Sequence, residues 1–218
     1  MNSNDIAQFL SSHPHFFEEH AELLANIKLT SPVMGRAISL QERQMEVVRE
    51  KHKQLELRLA ELMRVALDND AITSKFQSWT RSLLLARNDV ELPYILTQGL
   101  EDIFALPYAT LRLWGVSADF SHTWFAAETS DDVQLFAKGL SAPFCGKNQD
   151  FEASKWFDSG EPIESIAMLA LRLKPSAPTF GLLVLGSPDP ARFTREMATD
   201  FLVKIADTSA AALNCLIE

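Results

Sequence analysis

Apolar positions along the chain follow three different periods. Between Arg36 and Ala86 there is neither glycine nor proline, and the stretch is rich in Glu, Gln, Arg, Leu and Met, residues that lose little rotamer freedom in a helix. Within it Ile38, Met45, His52, Leu59 and Ala66 recur every seven residues, and Gln41, Val48, Leu55 and Leu62 form a second seam. A stripe of that period, with charge elsewhere, predicts a coiled coil. About 50 helical residues span roughly 75 Å, well beyond the helix a single small domain requires. The stripe needs a partner helix, and no second long heptad segment exists in the sequence. The expectation is therefore a homodimer, with Ile38, Met45, Val48, His52, Leu55, Leu59 and Leu62 as dimerisation positions. A parallel pairing brings Lys51 of one chain toward Glu56 of the other, and the polar members Gln41, His52 and Asn69 set register.

Residues 1–34 read as short helices. Ser3, Asn4 or Asp5 caps the first, which carries Ile6, Phe9 and Leu10. Pro14 opens another turn, followed by Phe16, Phe17, Leu23, Leu24 and Ile27, and Ser31-Pro32 with Gly35 closes the segment. From about residue 71 the pattern becomes mixed. Val90 to Phe104 predicts an amphipathic helix, Tyr108 to Trp114 a strand with Thr110, Arg112 and Trp114 on one side, and His122 to Ala126 a second strand. Asp132 to Lys138 reads as a short helix. Ser165 to Leu173 and Thr179 to Gly186 are strands joined through Lys174-Pro175-Ser176-Ala177-Pro178, and from Phe193 onward the chain returns to helix, with Thr194 as cap and Glu196 at its positive end. The fold class is α+β, and the expected divisions are 1–34 (short helices), 35–70 (dimerisation helix) and 71–218 (mixed domain).

Charge and composition narrow the function classes. The 218 residues are 47% apolar and 22% charged, which fits a folded chain. A net charge of −9 disfavours nucleic acid and anionic membrane as partners. The longest apolar candidate, Ile166 to Leu173, carries Arg172 and is strand-sized, so no membrane span is expected. No signal-peptide pattern opens the chain, and its two cysteines suit a reducing compartment, so a cytoplasmic location is expected.

Several strings carry a resemblance. His13-Pro14-His15-Phe16-Phe17, Ser39-Leu40-Gln41-Glu42-Arg43-Gln44, Pro143-Phe144-Cys145-Gly146, Gly181 to Phe193, and Met197 to Leu202 resemble the bacterial domain-of-unknown-function family 484. That resemblance implies a GAF-like antiparallel sheet, with the helices of both ends on one face and a ligand pocket on the other. It implies no particular activity. The better-known GAF chemistries fit poorly. Asn148, Phe151 and Glu152 are crowded together with Lys147 before the Asn, unlike the spaced Asn-Lys-Phe-Asp-Glu signature of cyclic-nucleotide binders. Cys145 precedes Gly146 and not the His of bilin attachment, and two distant cysteines do not make a methionine-sulfoxide reductase.

Candidate chemistry is sparse. His13, His15 and His20, with nearby glutamates, have ligand-type side chains, but their turns also serve capping and packing, and no metal site is assigned. Cys145 is expected in a loop after Pro143, where an exposed thiol can react, whereas Cys215 is expected in the core. Gly186-Ser187-Pro188-Asp189-Pro190 lacks the N–H groups of a phosphate loop and reads as a rigid turn, with Asp189 and Arg192 paired across it. Arg112, Trp114, His122, Trp124, Phe144, Cys145 and Trp156 form the candidate ligand set, since an apolar pocket with few polar anchors is how small molecules are held. No acid/base pair or nucleophile triad stands at recognisable spacing. The leading expectation is a non-enzymatic regulatory module acting through another polypeptide. A ligand-free interaction scaffold and a thiol-based enzyme or redox sensor at Cys145 are the alternatives, and the identity of any cofactor or ligand is left open.

Overall fold

The structure, a computed structural model, describes residues 2–26, 28–30, 37–195 and 199–217. It divides into two compact units, Met1–Asn69 and Asp70–Glu218. In the first, helices α1 (Ser3–Ser12), α2 (Phe16–Glu19) and α3 (Ala21–Asn26) precede a short antiparallel hairpin of β1 (Lys28–Thr30) and β2 (Ala37–Ser39). Asn2, rather than Ser3, Asn4 or Asp5, caps α1, and its backbone N–H donates to the Asp5 carboxylate at 2.9 Å. Phe9 stacks on His13 at 4.4 Å and meets Phe16 edge-on at 6.0 Å. Ser31-Pro32 and Gly35 lie outside the described residues.

Helix α4 runs from Leu40 to Leu84, about 68 Å at 1.5 Å per residue. It begins four residues later than the sequence pattern suggests. Ala37, Ile38 and Ser39 pair instead with Thr30, Leu29 and Lys28. Ile38 is thus a strand residue, not a member of the helical stripe. Along α4, Arg43 meets Glu46 at 3.0 Å, and Arg64 bridges Glu61 at 2.7 Å and Asp68 at 3.1 Å, the neighbour spacing of a solvated helix surface. Met45, Val48, Leu55, Leu59 and Leu62 are exposed by 52–67% in the single chain.

The second unit is built on a four-stranded antiparallel sheet of β3 (Tyr108–Leu113), β4 (Phe144–Lys147), β5 (Ser165–Leu171) and β6 (Gly181–Ser187), in the order β3-β6-β5-β4. One face carries Leu111, Leu113, Cys145, Ala167, Leu169, Leu171, Leu183 and Leu185. It packs with Trp79 and Leu83 of α4, Leu96 and Leu100 of α5 (Leu92–Phe104), and Leu202, Ile205, Ala210 and Leu213 of α7 (Asp200–Leu213). The Trp79 indole is fully buried and donates to Leu96 O at 3.1 Å. Pro93 sits in the first turn of α5, where its missing N–H costs nothing. The helix ends at Ala105 in the left-handed region (φ 52°), and Arg192 donates to the carbonyls of Phe104 and Ala105 at 3.3 and 3.4 Å. The Arg192 side chain therefore serves that helix end rather than the Asp189 carboxylate, and only its backbone N–H meets Asp189, donating to the carbonyl at 3.2 Å.

The other face carries Thr110, Arg112, Ile166, Met168, Leu182, Val184 and Phe144. It is covered by α6 (Asp131–Gly139), through Val133 and Ala137, and by a 3-10 turn at Glu152–Trp156. Ser130 caps α6 by accepting from Val133 N at 3.3 Å, and its hydroxyl donates to Glu152. Arg172 closes the other end, donating to Ala137 O at 3.1 Å and Leu140 O at 2.6 Å, where a cation also meets the negative pole of the helix.

Two strand expectations are corrected. His122 to Ala126 is not a strand: 3-10 turns at Ala118–Phe120 and Trp124–Ala126 bury Phe125, because the segment folds back beside β3 through its one fully buried ring. Cys145-Gly146 is not a loop but part of β4, paired with Ala167 and Ile166. α7 begins at Asp200, Phe193 is buried in the preceding turn, and Glu196 lies outside the described residues.

Candidate functional site

On β3 the side chains alternate, so Leu111 and Leu113 enter the helix-side core while Arg112 stands on the opposite face, in register with Leu182. Two separate turns bring an indole to it. The Arg112 guanidinium carbon lies 5.4 Å from the Trp156 ring centre and 5.9 Å from that of Trp124, within cation–π range of both. Its Nη1 donates to Leu111 O at 3.0 Å. Among the described residues no carboxylate reaches ion-pair distance of it. Burial lowers its pKa from the ordinary arginine value, yet a guanidinium stays charged at neutral pH.

Trp114 continues β3 and donates from Nε1 to Thr179 O at 2.7 Å. Two clefts share it. One, of about 410 Å³, runs along Leu113–Val116 and Ala126–Thr129. The other, of about 480 Å³, is walled by Asp131, Asp132, Lys138 and Pro178. A further cleft of about 550 Å³ is bounded by Leu140–Pro143, Arg172 to Pro175, and Val203 with Asp207 of α7.

The seven candidate ligand residues do not form one pocket. Arg112, Trp124 and Trp156 come together, with Trp114 further along the same face. His122 is exposed between the two 3-10 turns. Phe144 shares the face but lies on β4, the far edge strand, where it packs on Phe151 at 5.4 Å and Phe136 at 6.1 Å. Cys145 points the other way and is 6% exposed in the helix-side core. Burial pushes its thiol up from the ordinary value, so the expected exposed loop thiol is corrected: strand alternation turned it inward. Cys215 reverses the other expectation, since it is exposed in the 3-10 turn Asn214–Leu216. Its thiol is raised by burial first, with Asp89 adding to the effect.

His13, His15 and His20 serve local structure. His13 Nδ1 lies 3.0 Å from Phe9 O, His15 Nδ1 lies 2.9 Å from the Glu18 carboxylate, and His20 packs on Phe16 at 4.8 Å. Among the described residues no three His, Cys, Asp or Glu side chains gather as metal ligands, and no helix is long and apolar enough to cross a membrane. No sequence pattern announces the Arg172 cap or the Ser130–Glu152 clamp. Neither has a local signal, since each joins residues more than twenty positions apart.

A family model described as "Protein of unknown function, DUF484" matches residues 1–217. Solved structures similar to the chain are GAF domains. One, from a protein described as a sensor histidine kinase of Pseudomonas syringae pv. tomato, is 15% identical with a TM-score of 0.45, over 70% of this chain and 91% of that one. Another, from an Acinetobacter phosphoenolpyruvate-protein phosphotransferase, is 12% identical with a TM-score of 0.46, over 66% and 92%. A third, from the potassium sensor histidine kinase KdpD of Escherichia coli, is 16% identical with a TM-score of 0.41, over 66% and 94%. No curated protein matches the sequence.

Proposed function

The chain belongs to the DUF484 family, and we propose that it is a non-enzymatic, cytoplasmic regulatory module that works as a homodimer and passes its signal to a partner protein. The observation that carries this reading is the row of Met45, Val48, Leu55, Leu59 and Leu62 along α4, each more than half exposed in the single chain. Large apolar groups recurring at heptad spacing on a long helix are stabilised by an equivalent helix, and burying each such side chain fully contributes about 1.5–3 kcal/mol. A second copy of this chain is the occupant. His52 lies in the same stripe, 3.5 Å from Glu56 of its own helix, and a parallel register sets Lys51 against the other chain's Glu56.

The sensing element of the proposal is the Arg112 face of the second unit. A molecule bound there acts on β3, whose Leu111 and Leu113 belong to the same core as Trp79, Leu83 and the α7 residues. It biases the packing of α4 and α7 only to the extent that it prefers one packing over another. A second reading, an interaction scaffold that binds no small molecule, is favoured by the way Phe144, Phe151, Trp156 and Phe157 fill much of that face. The buried Cys145, with its raised thiol pKa, weighs against thiol chemistry.

Sedimentation equilibrium tests the homodimer. The full chain is expected at twice its 24.4 kDa mass, and Leu55→Glu/Leu62→Glu at the single-chain mass with the circular dichroism of the second unit retained. A wild-type monomer overturns the reading, as does a double variant that dimerises as tightly as wild type.

A further inference from the structure

The most unusual charged group in the described structure is Arg112. It is half-buried on a sheet strand, lies within cation–π range of two indoles on separate turns, and has no carboxylate counterpart among the described residues, in a chain whose acids outnumber its bases, 29 to 20. A partly buried cation ordinarily holds a counter-charge or enough acceptors for its N–H groups. Here one of the five guanidinium N–H groups goes to Leu111 O. No other protein acceptor is within hydrogen-bond reach among the described residues, and the remaining guanidinium N–H groups keep contact with solvent, where an arriving oxyanion can meet them. The rings cover the guanidinium but accept none of its in-plane hydrogen bonds.

That combination has a specific chemical complement. We propose that Arg112 is the anchor for a small-molecule anion, a carboxylate or phosphate group carried on a flat apolar body that packs against Trp124 and Trp156. The guanidinium fork matches either oxyanion with paired N–H donors. Flat apolar bodies gain from indole contact beyond the area they bury. Trp124 is 43% exposed, so its ring leaves solvent when such a body arrives. The neighbouring 410 Å³ cleft along Leu113–Val116 and Ala126–Thr129 is not lined by Arg112, Trp124 or Trp156, and the ligand needs no part of it. This inference rests on the sensing face proposed above and names the class of ligand it takes.

The test is a titration of the full-length chain, followed by the indole N–H resonances of Trp124 and Trp156, each assigned with its Trp→Phe variant. The probes are benzoate, phenyl phosphate, neutral benzamide and inorganic phosphate. Benzoate, phenyl phosphate or both are expected to shift the two resonances saturably, and the stronger of the two identifies the oxyanion. Benzamide and inorganic phosphate, each lacking half of the complement, are expected to bind at least about tenfold more weakly, a difference of about 1.4 kcal/mol. Arg112→Met is expected to abolish the anion response and Arg112→Lys to restore part of it, with thermal unfolding confirming that both variants fold. Equal response to benzamide and benzoate overturns the anion assignment but leaves a ligand site standing. Undiminished binding by Arg112→Met removes Arg112 from it. No response to any probe at tens of millimolar overturns the inference, while sedimentation judges the dimer independently.

Discussion

Replacing Gly99 by alanine sets two effects of opposite sign against each other. Gly99 lies within α5, where alanine in place of glycine favours the helix by about 1 kcal/mol. Against this, a Cβ at that position falls 2.8 Å from Trp79 Cδ1, 3.3 Å from its Nε1 and 3.6 Å from Ser82 Oγ. The indole has little freedom to withdraw. It is fully buried, tied to Leu96 O at 3.1 Å, and flanked by Phe76 at 5.7 Å and Phe104 at 6.4 Å. Forcing an extra methyl into such packing costs about 1–3 kcal/mol, so Gly99→Ala is expected to lose about 1 kcal/mol overall. Urea unfolding at fixed chain concentration, read by both fluorescence and circular dichroism, measures it as a lower midpoint at unchanged slope. In a Trp79→Leu background the obstruction is gone, and the same substitution is expected to gain up to about 1 kcal/mol. A stabilised Gly99→Ala in the wild-type background refutes the reasoning, and so does an identical change in both backgrounds.

Three further outcomes follow from the described geometry. Arg172→Met removes two charge-assisted hydrogen bonds from the C-terminal carbonyls of α6 and is expected to cost about 1.5–3 kcal/mol in urea midpoint analysis, with faster amide exchange concentrated in α6. Under native conditions a thiol reagent is expected to modify Cys215 alone, Cys145 reacting only on unfolding, as counted by mass spectrometry. Burial raises the Cys145 thiol; a group raised in the folded state contributes stability below its unfolded value, about 8.5, that is lost as pH rises through the folded value. Wild type is therefore expected to lose stability at alkaline pH more steeply than Cys145→Ala in pH-dependent urea titrations.

Long segments with one strong period were legible in the sequence, and short ones were not. The gap-free run after Leu40 announced α4, and the apolar runs at 165–171 and 181–187 announced the two central strands, because both are buried on both faces and need no polar alternation. β4 has four residues, one of them Gly146, and its strand character comes from pairing with Ser165–Met168, not from local preference. The same applies to Ile38, claimed by a three-residue hairpin although it continues the heptad in register. At the site, the alternation of β3 put Arg112 and Trp114 on one face correctly. The sequence could not separate Phe144 from Cys145, because that depends on a strand it did not show. The meeting of Arg112 with Trp124 and Trp156 depends on two turns that bury Phe125 and Ala153, a tertiary effect with no local pattern.

Self-association in register along α4 is the central claim, and disulfide trapping tests it at residue level. Leu59→Cys, in a Cys215→Ser background with the buried Cys145 retained, places one accessible thiol on the exposed stripe; Lys53→Cys places one off it. Under mild oxidation the account predicts a covalent dimer from Leu59→Cys and free thiol from Lys53→Cys. Free thiol in both variants, with the chain sedimenting at 24.4 kDa, contradicts it.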